Sequence, residues 1–222
     1  MSGRSRSVDI YNTLYNRIIT WKYPPGQRLT EEEVCAEFGV IRSPVREALN
    51  SLVSSHLVLK EEHKGYTVRR IDLREVNELY DTRLVLEEGV VRLICEHGMD
   101  PEILQPMREH WKSFLENLPS LGAQSAVEDE LFHKTLADVA GNLVMAEMLS
   151  EISQQIHFVR LSDITDQSRF RRTCEDHLEL LDALEKRDCD KAIALVKRNI
   201  LWGKEKVDDA IKEALFHAHH MD

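Results

Sequence analysis

The sequence predicts a mostly α-helical protein in two parts, an N-terminal winged helix-turn-helix followed by an all-α bundle. The first observation is the stretch from Glu37 to Leu52, in which a glycine-bearing turn joins two short helical segments. The second is a pair of short β-rich runs directly after it. The third is the long remainder, where apolar residues recur at helical spacing and no alternating strand pattern is seen.

The first two helices are predicted from their caps and breaks. Ser7 or Asp9 can cap the first helix, which is expected to run to about Trp21 before a Pro-Pro-Gly turn ends it. Thr30 can cap the second helix, and Glu33 stands three residues later, which is the spacing of a capping box. Acidic residues in this first turn also favour the helix dipole.

The third helix separates its apolar and polar side chains onto different faces. Gly39 suits the preceding helix stop, since glycine adopts positive φ readily, and Ser43 can cap the helix that follows. Its buried face is predicted from apolar residues three and four apart, namely Val45, Leu49, Leu52 and Val53. Arg42 and Arg46 lie elsewhere, near the start, where a planar guanidinium can bind a phosphate or a guanine edge through two hydrogen bonds.

A β-hairpin wing is predicted after the third helix. Its strands are Val58–Lys60 and Tyr66–Arg69, and residues 61–65 join them. Gly65 has no side chain, so the backbone there can approach a phosphate or the minor groove. An ordinary hairpin turn is the alternative interpretation of this glycine.

The boundary between the two parts is predicted near residue 71, which gives domains of residues 1–71 and 72–222. Asp72 can cap a long helix from Leu73 to about His97. Six or seven helices are expected in the second part, separated at Gly98, at Pro119 with Gly122, at Gly141–Asn142 and at residues 162–167.

Composition narrows the classes of protein that this chain can be. At 222 residues with 42% hydrophobic residues, it can form packed cores, and global disorder is not expected. The net charge is −10, yet residues 1–70 hold 11 basic against 8 acidic side chains, so the remainder carries −13. A mildly basic front suits a small DNA-binding domain joined to a domain of another kind. With no membrane-length apolar run, no signal peptide and four scattered cysteines, a cytoplasmic protein with free thiols is expected.

The first part resembles the GntR family of bacterial transcription regulators. The resemblance rests on Pro25–Leu29, on Gly39–Leu49 (GVIRSPVREAL) and on Lys64–Val68 (KGYTV). It implies a homodimer that binds a palindromic double-stranded DNA operator, because half-site symmetry mirrors protein symmetry. The implied DNA contacts are Arg28, Arg42, Ser43, Arg46 and Gly65. Two positions depart from the family pattern, since Glu32 stands where some relatives have arginine and Ile41 where most have serine or threonine.

The second part resembles the FCD effector domain of the FadR-like branch of the same family. The matching segments are Leu79–Glu87, Asp129–His133, Ala140–Asn142, Glu175–His177 and Lys186–Ala192. Many FCD domains bind a metal through one aspartate and three histidines. Carried over to this chain, those ligands are Asp129, His133 and His177, for a divalent ion such as Zn²⁺, Ni²⁺ or Mn²⁺, and the third histidine falls at Asn199.

The replacement of a histidine by Asn199 leaves three interpretations of the metal site. Either Asn199 or a water completes a metal site that binds more weakly, or the same groups bind an organic effector without metal, or Cys174 contributes as a ligand. Taken without the resemblance, one aspartate and two histidines in a helical chain more often have a structural or surface role.

Arg83 is the cation to which the resemblance assigns an effector. An arginine on this helix can face the pocket in the family, and FCD effectors are often small carboxylic acids, which a guanidinium binds through two hydrogen bonds. A salt bridge to Glu87, four residues later, is the alternative. Asn199 is the second effector-binding candidate.

A ligand-responsive regulator that is not an enzyme is therefore the function expected from the sequence. Two other classes remain open. One is a metal-dependent helical enzyme, in which the Asp–His cluster activates water. The other is a DNA-binding protein whose bundle only dimerises. Against the enzyme, the sequence has no nucleophile motif, no glycine-rich phosphate loop and no general base apart from the proposed ligands.

Overall fold

The computed structural model describes the backbone of residues 2–20, 22–61, 65–70, 72–118, 123–163 and 167–218. The chain forms two compact units. One contains the residues up to Asp72 together with the chain from Ile211 onward, and the other contains Leu73–Ala210. No helix among the described residues has the length and apolar character to cross a membrane.

The first unit is a winged helix-turn-helix, as predicted. In chain order its elements are α1 (Ser2–Ile19), β1 (Arg28–Leu29), α2 (Glu31–Phe38), α3 (Arg42–Ser54), β2 (Val58–Glu61) and β3 (Gly65–Val68). The three strands form an antiparallel sheet in the order β1-β3-β2. The wing strands thus fall close to their predicted positions, whereas β1 was not predicted.

Helix α1 begins earlier than the sequence suggested. It starts at Ser2, so neither Ser7 nor Asp9 is its cap, and it ends at Ile19, two residues before Trp21. Ser7 is only 4% exposed and stands one turn before the buried Ile10. The packing stripe therefore extends through Ser7, and the helix continues N-terminally past it.

The structure confirms both predicted ends of α2 and corrects the predicted cap of α3. Thr30 and Glu33 form a complete capping box, and Gly39 ends α2 in the left-handed conformation with φ 62°. Ser43, in contrast, is not the cap of α3, because Ile41 occupies the N-cap position and makes no side-chain cap hydrogen bond. The helix starts one residue before Ser43, where the first amides need no intrahelical acceptor, so Pro44 is accommodated.

The pairing of β1 with β3 explains why position 65 is occupied by glycine. Leu29 pairs with Tyr66, which brings the backbone of β1 against the start of β3. Gly65 has φ 89°, and a Cβ there would lie 3.1 Å from the carbonyl oxygen of Leu29. A side chain at this position would meet both backbone strain and close contact. Of the predicted connection at residues 61–65, Glu61 ends β2 and Gly65 begins β3, and residues 62–64 lie outside the described residues.

The second unit contains helices only, in its described residues. These are α4 (Leu73–His97), α5 (Pro101–Glu116), α6 (Ala123–Val139), α7 (Leu143–Asp163), α8 (Gln167–Glu185) and α9 (Cys189–Ala218), so six helices match the predicted six or seven. The last residues of α9, from Ile211, are assigned to the first unit. The breaks at Gly98 and Gly141 are confirmed by positive φ, and Asn142 Oδ1 accepts the amide of Met145 as a cap. A further break at Arg187, with φ 54°, was not predicted. The break at Pro119–Gly122 lies outside the described residues.

Aromatic side chains fill the centre of this helical unit. Trp111 of α5 is 2% exposed and packs with Phe132 of α6 and Phe170 of α8 at ring-centroid distances of 5.6 and 6.1 Å. Because α4 contacts α6, α7 and α8, the long helix brings its buried polar residues to the same interior. The fold thereby places charged groups beside an apolar, water-poor core.

Candidate functional site

Four of the five residues predicted to contact DNA have exposed side chains in the first unit, and the fifth, Gly65, is half-buried. Arg42, Ser43 and Arg46 are exposed in the first turns of α3, on the side away from its buried apolar face. Arg28 is exposed on β1, and Gly65 begins β3. Arg46 stands four positions after Arg42, so the two side chains leave the same face of the helix.

Both arginines of α3 are paired with carboxylates from the first turn of α2. Arg46 binds Glu31 through two hydrogen bonds, from Nε at 2.8 Å and from Nη2 at 2.9 Å. Arg42 Nη2 lies 2.6 Å from Glu32 Oε1. The hydrogen bond from Arg46 lowers the pKa of Glu31 below its ordinary value. The sequence alone did not suggest that the acids of the capping box region and these arginines would form one surface.

A second candidate site is a cluster of charged groups inside the helical bundle. Four helices contribute to it: Arg83 and Glu87 come from α4, Asp129 and His133 from α6, Arg160 from α7 and His177 from α8. All six residues are buried, with exposed fractions between 1% for His177 and 8% for Asp129. Burial of so many ionisable side chains is costly unless they pair with one another or hold a ligand.

Asp129 lies at the centre of the three predicted metal ligands. Its Oδ1 is 3.1 Å from His177 Nε2 and 3.8 Å from His133 Nε2. One ligand atom from each of the three residues lies within 4.8 Å of the others, in the one such buried group found among the described residues. The other carboxylate oxygen, Oδ2, accepts a hydrogen bond from Arg160. The structure therefore brings together the three ligands that the resemblance implied.

His133 is hydrogen-bonded at Nδ1 to Glu87. From the sequence, Glu87 was considered only as a salt-bridge partner of Arg83. The Nδ1 atom of His133 lies 2.5 Å from Glu87 Oε2, and Glu87 Oε1 accepts the Nε–H of Arg83 at 2.7 Å. A carboxylate can only accept here, so the ring proton is on Nδ1. The other nitrogen, Nε2, lies 3.8 Å from Asp129 Oδ1. Histidines that bind a metal are commonly held at their second nitrogen by a carboxylate in this way.

Several buried polar atoms of the cluster have no hydrogen-bond partner among the described residues. They are His133 Nε2, both ring nitrogens of His177 and Arg83 Nη2. His177 Nε2 approaches Asp129 closely, but without the angle of a hydrogen bond. Orphaned imidazole nitrogens beside a carboxylate are the donor set that suits Zn²⁺, Ni²⁺ or Mn²⁺, so these residues fit a divalent ion.

The ionisation of these groups also suits a metal or a polar ligand. Burial opposes the charge on Asp129, but the Arg160 guanidinium beside it is the largest opposing influence, and the pKa of Asp129 lies well below the usual range. The pKa of Glu87 falls to about 2, because His133 and Arg83 overcome the same burial. Burial lowers the pKa of His177, which favours the neutral ring that coordinates metals.

The ring of His177 is fixed by aromatic neighbours. It stacks on Phe132 at a centroid distance of 3.7 Å and an interplanar angle of 11°, and the edge of Trp111 meets it at 4.3 Å. This packing turns the imidazole toward Asp129. Cys174 is not a member of the Asp–His group, and burial raises the pKa of its thiol to about 12. A thiol that resists ionisation is a poor metal ligand.

Arg83 and Asn199, the two predicted effector contacts, line one cavity of the bundle. Asp129 and Arg160 also line it, and the remaining walls come from Tyr80, Thr173, Ile200, Trp202 and Gly203. Its volume is about 30 Å³. Since a single water needs about 10–15 Å³ by the same measure, the space suits a group the size of a carboxylate. Arg83 therefore both makes the predicted pair with Glu87 and faces the cavity, so its two interpretations are compatible.

Arg160 was not among the predicted site residues, and Glu87 was considered only as a salt-bridge partner of Arg83, yet both belong to the buried cluster. Arg160 lies 31 residues after the aspartate that it contacts, and Glu87 lies 46 residues before His133. Each pair joins two different helices, so helical periodicity within one segment does not predict either contact. The available signal was the Arg83–Glu87 spacing on one helix face, which shows that Glu87 points inward wherever Arg83 does.

Both parts of the chain match family models. Residues 6–68 match the model described as bacterial regulatory proteins, gntR family. Residues 78–201, more than half of the chain, match the FCD domain. The two matches cover the winged helix and the helical unit that holds the Asp–His cluster.

Similar proteins of known name are transcription regulators. The Nta operon transcriptional regulator of Aminobacter aminovorans is 31% identical over 201 residues, which are 89% of this chain and 92% of that protein. The gluconate operon transcriptional repressor of Bacillus subtilis is 25% identical over 218 residues, or 94% of this chain and 88% of that protein.

Solved structures show the same fold. The structure of Lar, described as controlling the expression of the Listeria monocytogenes agr system, matches with a TM-score of 0.67 at 20% identity, over 90% of this chain and 95% of that one. Escherichia coli McbR/YncC matches with a TM-score of 0.60 at 20% identity, over 90% and 97%. Given the two family matches and the sequence identity to the Nta operon regulator, this chain belongs to the GntR family of bacterial transcription regulators and carries an FCD domain.

Proposed function

We propose that this regulator binds a palindromic DNA operator as a homodimer in the cytoplasm, and that a small carboxylate in its helical domain modulates this binding. Residues 1–71 would form the DNA-binding domain and residues 72–222 the effector-binding and dimerisation domain. The effector acts by binding more tightly to one arrangement of the two DNA-binding heads than to the other.

The observation that carries the effector site is the unpaired Arg83 Nη2. It is buried without a hydrogen-bond partner in the described part of the chain, beside a cavity that Arg160 and Asn199 also line. A carboxylate in this cavity would accept hydrogen bonds from the guanidinium and the amide, which relieves the cost of the orphaned donor.

The proposed metal site adjoins this cavity through Asp129. Asp129, His133 and His177 would hold one divalent ion, with the Asn199 oxygen or a water in the position of the missing third histidine. A bound ion would supply positive charge and open positions at which a carboxylate can coordinate. The protein's own contribution is to place imidazole nitrogens of His133 and His177 beside Asp129, to favour the neutral form of His177 and to keep Asp129 ionised.

The DNA-binding proposal is tested first by selection. Incubating the full-length protein with a pool of random-sequence duplexes should enrich a sequence with two-fold symmetry. Repeating the binding measurement with the enriched duplex, with and without acetate and Zn²⁺, should show a change in affinity if the helical domain controls the DNA-binding heads. Enrichment of sequences without symmetry would contradict the dimer.

Replacing Arg46 by alanine is expected to weaken binding to the selected duplex by about 10- to 100-fold, because the guanidinium fork reads a base. Arg46→Lys keeps the charge but removes the fork, so it should lose most of the specific affinity and retain binding to unrelated DNA. Gel-shift titrations at two salt concentrations distinguish these outcomes. Equal affinities for the parent and both variants would remove Arg46 from the contact surface.

Glu32 is expected to weaken DNA binding, since it holds Arg42 and places a negative charge on the proposed contact face. Glu32→Gln should therefore raise the affinity for the selected duplex by about 2- to 5-fold, the range typical of an exposed ion pair. Asp9→Asn makes the same charge change at an exposed position on α1 and should have a smaller effect. A lower affinity in Glu32→Gln would show instead that the pair orients Arg42 for DNA.

A further inference from the structure

Glu87 is a buried carboxylate that contacts both halves of the candidate site. It is 2% exposed, and its two oxygens have different partners. Oε1 accepts from Arg83, which lines the effector cavity, and Oε2 accepts from His133, which belongs to the proposed metal site. Glu87 itself does not line the cavity and is not a member of the ligand group. It therefore acts through other residues.

We propose that Glu87 is a positioning residue that prepares His133 for a divalent metal and Arg83 for a carboxylate at the same time. The inference rests on the proposed function, since it concerns the same site. It adds a physical link between the two ligands, because one carboxylate determines which nitrogen of His133 is free and which nitrogen of Arg83 is free.

The effect on His133 is to set the position of its proton. A neutral imidazole carries one proton, and a carboxylate acceptor at Nδ1 keeps it there. Nε2 is then unprotonated, and it has no hydrogen-bond partner among the described residues. The opposite tautomer would place an N–H where the metal ligand atom has to be, so metal binding would first require a change of tautomer.

The effect on Arg83 is to fix its guanidinium. The Nε–H is used by Glu87, and the buried Nη2 is left without a partner. Because the guanidinium is planar, fixing Nε also fixes the direction of both terminal nitrogens. A carboxylate that enters the cavity thus meets a donor whose orientation is already established, which reduces the entropy lost on binding.

Replacement of Glu87 by glutamine separates the two roles. Arg83 can only donate, so the amide oxygen of the new side chain remains its acceptor, and the amide NH₂ is left to face His133. The imidazole must then accept at Nδ1 and move its proton to Nε2. The Glu87→Gln variant is expected to show the Nε2–H tautomer of His133 by ¹⁵N imidazole NMR of metal-free protein, where the parent shows Nδ1–H. His133→Ala identifies the signal.

The same variant should lose metal affinity but not the response of Arg83 to a carboxylate. In competition with a chromophoric chelator, we expect its affinity for Zn²⁺ to fall about 10- to 100-fold, as is typical when such a supporting carboxylate is removed. The shift of the Arg83 Nε–H signal on titration of metal-free protein with acetate should persist. Glu87→Leu should lose both the zinc affinity and the acetate response.

Glu78→Gln is the matched control. Glu78 also accepts from an arginine four residues away on α4, at 2.8 Å, but its side chain is 65% exposed. It should leave the tautomer, the zinc affinity and the acetate response unchanged. An Nδ1–H tautomer in Glu87→Gln, or an acetate response that survives in Glu87→Leu, would overturn the inference. A parent protein that does not bind Zn²⁺ would instead refute the proposed metal site, while the tautomer measurement would still decide the role of Glu87.

Discussion

Replacement of Asp129 by alanine is expected to lower the free energy of unfolding of the metal-free protein by about 3–5 kcal/mol. Arg160 is 5% exposed and donates to Asp129, and its other carboxylate contact, with Glu130, is longer at 3.3 Å. Without Asp129, the buried guanidinium of Arg160 keeps the contact of Nη1 with Glu130, whereas Nη2 loses its acceptor. Chemical unfolding at pH 7 measures the loss.

Asp138→Ala is the control for this substitution. Asp138 lies on the same helix, but its side chain is 54% exposed and pairs with Lys134 at the surface. Its removal should change the free energy of unfolding by less than about 1 kcal/mol. Equal stabilities of the two variants would show that Arg160 finds another buried partner when Asp129 is absent.

The stabilising effect of Asp129 should depend on pH in a defined direction. Its pKa is held well below the ordinary value in the folded protein. The contribution is therefore fully present above an ordinary aspartate pKa of about 3.9 and is lost as the pH falls toward the lower folded pKa. The difference between the parent and Asp129→Ala should accordingly be present at pH 7 and shrink in acid.

Replacement of His177 by alanine is expected to abolish stoichiometric metal binding. The ring supplies one of three candidate ligands that lie together, and among the described residues no further histidine, cysteine or carboxylate belongs to that group. Elemental analysis of protein purified without an affinity tag, before and after incubation with Zn²⁺, Ni²⁺ and Mn²⁺, measures the change. The parent should contain about one ion per chain, as a site of this composition predicts.

His110→Ala is the corresponding control, because His110 is half-exposed and pairs with Glu128 outside the ligand group. It should retain the metal. A parent protein without metal after all three incubations would mean that Asn199 does not replace the third histidine. Effector recognition would then depend on Arg83, Arg160 and the hydrogen-bonding groups of the cavity.

Local signals determined much of the secondary structure of this protein. The Thr30–Glu33 capping box and the end of α2 at Gly39 follow from residues within one helical turn of each other, which interact in any context that permits the helix. The bounds Leu73–His97 of α4 were predicted in the same way. The family resemblance added the three metal-ligand candidates, which the structure places together.

Tertiary packing decided the features of secondary structure that neighbouring residues in the sequence do not predict. Strand β1 has two residues and exists because Arg28 and Leu29 pair with β3, far along the chain. Helix α1 extends past its expected cap because Ser7 is part of its packing face.

The two candidate sites also depend on contacts between residues that are far apart in the sequence. The Glu31–Arg46 pair and the Glu87–His133 hydrogen bond join residues 15 and 46 positions apart on different helices. Helical periodicity states which face of each helix is buried, but the rotation and height of one helix against another follow from how their side chains interdigitate. The sequence by itself therefore determined the family, most of the helices and the list of candidate ligands. The tertiary structure alone decided that Glu87 and Arg160 lie in the same buried cluster as those candidates.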